Sequence, residues 1–299
     1  SNKTCMDFFT LLIQVLNAVQ YGLLLFLVAA GLTLIFGMMG IINLAHGSFY
    51  MIGAYLSFGL APIVAQTIDG GFLVTLVVGL LFAIFLGYIL EWLFYSYLYE
   101  RDHLQQVLMT YGLILVFEEI RSLLLGDDVH SVAIPAWLSA SIQLGDIMTY
   151  PIYRLFISGI CLLLAAAMLI VLTKTRLGMM IRAGSVNREM TQSLGVNIQF
   201  LYRLVFASGV AIAAFAGMIA APVTSVYPGM GQSILIICFV VVVIGGIGSI
   251  RGALIASLLI GFVDTFGKVL LPNVAGVLVY VLMAAILLWK PSGLFKAGS

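Results

Sequence analysis

Apolar stretches long enough to cross a lipid bilayer follow one another down this chain and leave it few folds to adopt. Covering about 30 Å of hydrocarbon takes about 20 apolar residues in a helix. Eight or nine segments meet that length, at about 10–36, 41–65, 72–98, 104–125, 151–173, 201–225, 232–248, 252–270 and 273–289. Hydrophobic residues fill 63% of the 299 positions and charged residues 8%, where a soluble domain carries about a quarter. Mean hydropathy is +1.19. The reading is an all-α integral membrane protein: a polytopic bundle of eight or nine transmembrane or re-entrant helices, some broken, in one domain over residues 6–296. A net charge of +1 argues against nucleic-acid binding.

The ends and loops orient that bundle. Lys3 precedes an apolar run from about Phe8 to Phe36, too long for the h-region of a cleaved signal. Ser1 to Cys5 and Ala297-Gly298-Ser299 read as cloning remnants, with Met6 as the natural start. Gly126 to Tyr150 holds Asp127, Asp128 and Asp146 without Lys or Arg, which suits the outside, and Lys290 and Lys296 place the C-terminus inside. Trp92 with Tyr95, Tyr97 and Tyr99, and Trp289 near the other end, fit interfacial aromatic belts. One region stays open. Gly245-Gly246-Ile247-Gly248-Ser249, with Arg251 after it, is either a tight turn between two short spans or a broken helix within the bundle. Irregular backbone at membrane depth requires cover from protein or water.

Between Thr173 and Arg203 lies the one long polar interruption, TKTRLGMMIRAGSVNREMTQSLGVNIQFLYR. It holds five of the 13 Lys and Arg residues (Lys174, Arg176, Arg182, Arg188, Arg203) and one acid, Glu189. Basic loops beside apolar spans resist translocation, so this one should face the cytoplasm. Its interior predicts a short helix, capped by Asn187 and ended by Gly195 in the left-handed conformation. A helix there lines no pore. It is placed for another protein to grip.

The remaining chemistry is sparse. There is no GxxxxGKS/T loop, so the chain is not expected to hydrolyse nucleotide itself. His46, His103 and His130 are far apart, and Cys5, Cys161 and Cys238 read as buried or idle thiols rather than a disulfide framework. Asp264 and the Glu118-Glu119 pair are too thin a set of intramembrane acids for an evident proton relay. Glu118 and Arg121, three apart in FEEIRS, can pair on one helix face; they form either a local tie near the external interface or, with Asp264, a polar vestibule. Arg154 reads as an interfacial side chain that snorkels. Gly31 to Tyr55 packs Gly31, Gly37, Gly40, Gly47 and Gly53 around Asn43, His46 and Ser48. Such glycines bring helices close, and Gly37 to Gly40 can also mark a break facing a cavity. Asn43 and His46 then either bond neighbouring helices or approach a substrate route, inside the bundle either way.

Three ordered blocks, GLTLIFGMMGIINLAHGSFYMIGAYLSF, RAGSVNREMTQSLGVN and APVTSVYPGMGQSILIICFVVVVIGGIGSIRGALIASLLIGFVDT, resemble the permeases of ABC importers for branched-chain amino acids, the LivH type. The resemblance implies a cytoplasmic coupling helix that fits a groove on an ATPase subunit, here Arg182, Ala183, Asn187, Arg188, Glu189, Met190, Leu194 and Gly195. Thr191 stands where the family often has Ala. It implies that Gly40, Asn43, His46, Gly47 and Ser48, with Gly245, Gly246, Gly248 and Ser249, shape the translocation path or its gates. It further implies a bacterial inner membrane, a second LivM-like permease and two cytoplasmic ATP-binding subunits that hold ATP and Mg. A periplasmic solute-binding protein would complete the assembly, with no cofactor in this chain. Similar blocks occur in permeases for urea, amides, other amino acids and aromatic carboxylates, and FEEIRS departs from the more neutral fourth segment of the LivH type. Two rivals stand beside the importer: an ion-coupled carrier built on Asp264, and an intramembrane enzyme, for which no convergent residue set occurs.

Overall fold

A computed structural model of the chain describes residues 2–65, 71–144 and 148–295. Eleven α-helices run through the described residues. Five precede the polar interruption: α1 (Asn2–Met39), α2 (His46–Ala65), α3 (Gly71–Leu93), α4 (His103–Leu125) and α5 (Ile152–Lys174). The interruption itself forms α6 (Arg176–Val186) and α7 (Arg188–Ser193). Four more follow, α8 (Ile198–Thr224), α9 (Met230–Gly245), α10 (Ile250–Leu270) and α11 (Ala275–Trp289). Between α4 and α5 a hairpin of β1 (Ser141–Leu144) and β2 (Met148–Pro151) pairs antiparallel, with Ile142 opposite Tyr150.

Six of these helices, α1, α2, α3, α5, α8 and α10, are both long and apolar enough to span. Helix α4 has 23 residues but carries Glu118, Glu119 and Arg121. Helix α9 has 16 residues, about 24 Å, which falls short of the hydrocarbon thickness. Its exposed carbonyls are therefore covered by protein: Leu294 N donates to Ile244 O at 2.8 Å and Phe295 N to Gly245 O at 3.2 Å. Across residues 230–270 two helices are joined at Gly246–Ser249. Gly246 and Gly248 take φ of +96° and +80° there, and Ser249 Oγ caps α10 by accepting from Gly252 N at 3.1 Å.

Helices α1 and α8 form the core and cross where the backbones of Gly31 and Gly209 meet. Helices α10, α5 and α9 pack on α1, while α2 and α3 pack on α8. The trios α1–α3 and α8–α10 thus interlock, each third helix lying on the first helix of the other trio. Small residues permit it: a Cβ at Gly53 would collide with the Ala214 carbonyl, and one at Gly217 with the Tyr50 carbonyl. Helix α4 lies at the edge against α2, and Leu104, Leu108, Leu115 and Leu123 on it are exposed.

The connections sort into two ends. At one lie α6, α7, the α1–α2 linker and the α9–α10 turn, together with most of the basic residues (the basic end). At the other, the hairpin end, His130 and Val226 exchange two main-chain hydrogen bonds of 2.8 Å. Arg154 there does not snorkel outward. Half-buried, it donates to Asn17 Oδ1 at 3.1 Å, as Tyr150 does from the other side. The expected aromatic belt is likewise smaller than its sequence: Trp92, Tyr97 and Trp289 are exposed, but Tyr95 is buried and Tyr99 half-buried. Both were drawn inward by polar partners described below. Cys161 and Cys238 are buried free thiols. The backbone from Asn2 to Cys5 continues α1; Ser1, Asp146, Lys296 and 297–299 lie outside the described residues.

Candidate functional site

The polar interruption carries two helices rather than the single short one expected across 182–195. Thr175 Oγ1 accepts from Gly178 N at 3.2 Å and starts α6. Asn187, extended at φ −149° and ψ 100°, then breaks the run. Its Oδ1 accepts from Met190 N at 2.9 Å and so caps α7, with Glu189 in the first turn where a helix favours an acid. Arg182 and Ala183 therefore sit on α6, while Arg188, Glu189 and Met190 sit on α7. Gly195 ends the element at φ +87°, as its sequence position predicts. Val186, Met190 and Leu194 are 87%, 64% and 77% exposed. Three bare apolar side chains on a charged element beyond the apolar helices have the make-up of a protein-docking surface.

Behind that surface is a cavity of about 590 Å³, bounded by the ends of α1 and α5, by α6 and by the α9–α10 turn. Gly37, Arg182, Ser185, Gly248, Ser249 and Arg251 line it, so three separate sequence blocks meet there. Ser249 reaches it while capping α10; Gly245 and Gly246 are buried behind the turn.

Asn43, His46 and Ser48 do not line this cavity. They are buried at 0%, 0% and 4% exposure. Asn43 Oδ1 accepts from Tyr95 Oη at 2.7 Å and Ala45 N at 3.1 Å. His46 Nε2 donates to Val28 O at 2.8 Å. Gly47 abuts Gly231, and Gly40 is exposed at φ +66°, turning α1 into a helix-free linker over 40–45. That linker is fastened by Gln106, which carries no local signal in the sequence. Gln106 Oε1 accepts from Ile42 N at 3.4 Å, while its Nε2 donates to Leu98 O and Arg101 O, both at 3.2 Å.

The vestibule candidates are tied locally. Arg121 spends its guanidinium on Glu118 at 3.0 Å, Gly126 O at 2.7 Å and Asp127 at 3.0 Å, and lies over the Tyr55 ring. Bonds from Ser122 and Arg121 hold the Asp127 carboxyl below the usual carboxylate range. Asp264 pairs with Lys268 one turn on at 2.6 Å. At both sites the basic group is paired with a carboxylate close by in sequence.

One buried acid was missed. Glu91, 1% exposed on α3, meets Arg203 Nε on α8 at 3.0 Å and accepts the Tyr99 hydroxyl. Burial, then the bond to Glu91, push that hydroxyl's pKa up, so Tyr99 stays a donor. The available signal was a lone acid in the apolar run 72–98, which membrane burial obliges to find a partner.

Fold and site together describe a multi-pass α-helical membrane protein with an exposed apolar element on one end and a cavity behind it. Residues 14–288 match the family described as branched-chain amino acid transport system, permease component. The chain belongs to that family. It is 28% identical over 293 residues to the high-affinity branched-chain amino acid transport system permease protein BraD of Pseudomonas aeruginosa, covering 94% of each chain. To LivH of Escherichia coli, named for the same high-affinity system, it is 29% identical over 298 residues, 96% of each. To a probable branched-chain amino acid transport permease protein LivH of Methanocaldococcus jannaschii it is 27% identical, with 93% and 90% covered. No solved structure matches.

Proposed function

We propose that this chain is one permease subunit of a binding-protein-dependent ABC importer for branched-chain amino acids. It works beside a second, LivM-like permease and two cytoplasmic ATP-binding subunits that hold ATP and Mg. A periplasmic binding protein supplies the solute. The observation that carries the reading is the α6–α7 element, whose bare Val186, Met190 and Leu194 suit insertion into a groove on an ATP-binding subunit. The basic end then faces the cytoplasm of a bacterial inner membrane, with the C-terminus on the same side, in keeping with its Lys and Arg.

Transport changes no bond in the solute. ATP binding in the partners displaces α6 and α7, and the trios shift about the α1–α8 crossing so that a path between the two permeases opens to one side at a time. The 590 Å³ cavity is this subunit's part of the inward mouth, gated by the Gly246–Ser249 turn and Arg182. Asn43 Nδ2 and His46 Nδ1, buried without a partner among the described residues, are the polar atoms that an opened path offers to a zwitterion. The locally spent Asp264 speaks against an ion-coupled carrier.

The test is leucine uptake into proteoliposomes holding this chain, its companion permease and the ATP-binding subunits, with binding protein outside and ATP inside. ATP-dependent uptake that collapses without binding protein supports the reading. Uptake driven by a proton or sodium gradient without ATP overturns it.

A further inference from the structure

Helix α7 is held to the bundle by something other than a buried apolar face. It has six residues, and Thr191 is its one buried side chain. The attachment runs instead through Arg188, whose guanidinium lies 5.8 Å from the Tyr99 ring centre and 5.4 Å from that of Tyr202. The two rings are 4.8 Å apart and inclined at 61°. Tyr202 is buried near the start of α8, and Tyr99 follows α3 by six residues. The Tyr99 hydroxyl donates to Glu91 of α3, and Glu91 in turn holds Arg203, the residue after Tyr202. Arg203 also lies 5.7 Å from the Tyr88 ring centre.

Each link has a physical reason to persist. A buried carboxylate stripped of its partner is strongly unfavourable, so Glu91 keeps α3 and α8 clasped. The clasp sets the tyrosines side by side, and their ring faces attract a guanidinium. A planar guanidinium can lie against both rings at once, which an ammonium does less well. The helix reached this way, α8, is half of the core crossing with α1.

We propose that Arg188 and Tyr202 are transmission residues: the guanidinium seated on Tyr99 and Tyr202 ties α7 to the Glu91–Arg203 clasp, so that a partner's push on α7 moves α3 and α8 together. This rests on the importer reading above. Tyr202 lies beneath the surface a partner would grip, so changing it leaves the docking face intact.

The test uses the assembled importer in proteoliposomes with leucine-loaded binding protein, and reads leucine moved per ATP hydrolysed. In Y202L that ratio falls about tenfold, within the usual range of a coupling free energy, with the ATP-binding subunits still bound. Y202F keeps the ring face and the wild-type ratio. R188L, at a half-buried position, loses as much as Y202L and covers the case in which Y202L fails to fold; the double variant falls no further. A wild-type ratio in both Y202L and R188L overturns the proposal, as do equal losses in Y202F and Y202L, additive losses in the double variant, or release of the ATP-binding subunits. Wild-type complexes that take up no leucine with ATP overturn the importer reading and the strap with it; wild-type uptake with an unaltered variant ratio removes the strap alone.

Discussion

At Gly195 the main chain stands at φ +87°, and nothing lies within 4 Å of where a Cβ would project. A Cβ there meets no neighbour, so the penalty for alanine is conformational, about 1–2 kcal/mol for a left-handed residue. A β-branched side chain fares worst. G195V is therefore expected to fray the end of α7 and lower leucine uptake per ATP several-fold, with G195A between it and wild type. Coupled uptake at the wild-type ratio in G195V would remove the coupling role from this residue. The position was legible because a glycine closing a polar helix has a local cause. Glu91 was less so: its partner Arg203 is 112 residues away, and proximity of that kind has no local signature.

Among elements, the apolar helices were legible from run length alone, since a bilayer fixes how long a hydrophobic helix must be. Their ends were less so. The second apolar segment begins at about residue 41 by hydropathy, yet α2 starts at His46, because 40–45 is held open by Gln106 and Thr110 of α4. Hydropathy does not register a backbone tied by a distant amide. The polar interruption was similar: Asn187 was read as a cap, correctly, but the helix it also ends went unseen because both helices share one composition. Gln106 makes the sharpest test at this scale. Q106L removes the partner of Ile42 N, at about 1–3 kcal/mol for a buried group left unpaired, and the bonds to Leu98 O, which keeps Arg101 N as donor, and to the exposed Arg101. The expected result is a lower midpoint of thermal unfolding in detergent, and an unchanged midpoint would show that the linker holds without α4.

For the whole molecule the decisive property is sidedness, which its two distinct ends make testable with two probes. Val186 on α6 is 87% exposed and Val129 at the hairpin end 69%. With Cys5 replaced by Ser, the remaining cysteines, Cys161 and Cys238, are buried and give little background to a membrane-impermeant maleimide. V129C is expected to label in intact cells and V186C only in inside-out vesicles. The reverse pattern, or labelling of both from one side, would overturn the orientation and the docking role with it.

The close approach of α2 and α8 has a consequence for genetics. At Gly53 and Gly217 a new Cβ would strike main-chain carbonyls, of Ala214 and Tyr50, which every residue type carries. Trimming the opposing side chain removes none of those atoms. Overpacking of this kind typically costs about 1–3 kcal/mol, sometimes more. A selection for revertants of G53A is thus expected to return true reversions and changes elsewhere that stabilise the protein, and none at Ala214. Recovery of A214G as a suppressor would show that the helices separate at this crossing more easily than their packing implies. Along this seam a mutation is undone where it arose, and no change in its neighbour can substitute.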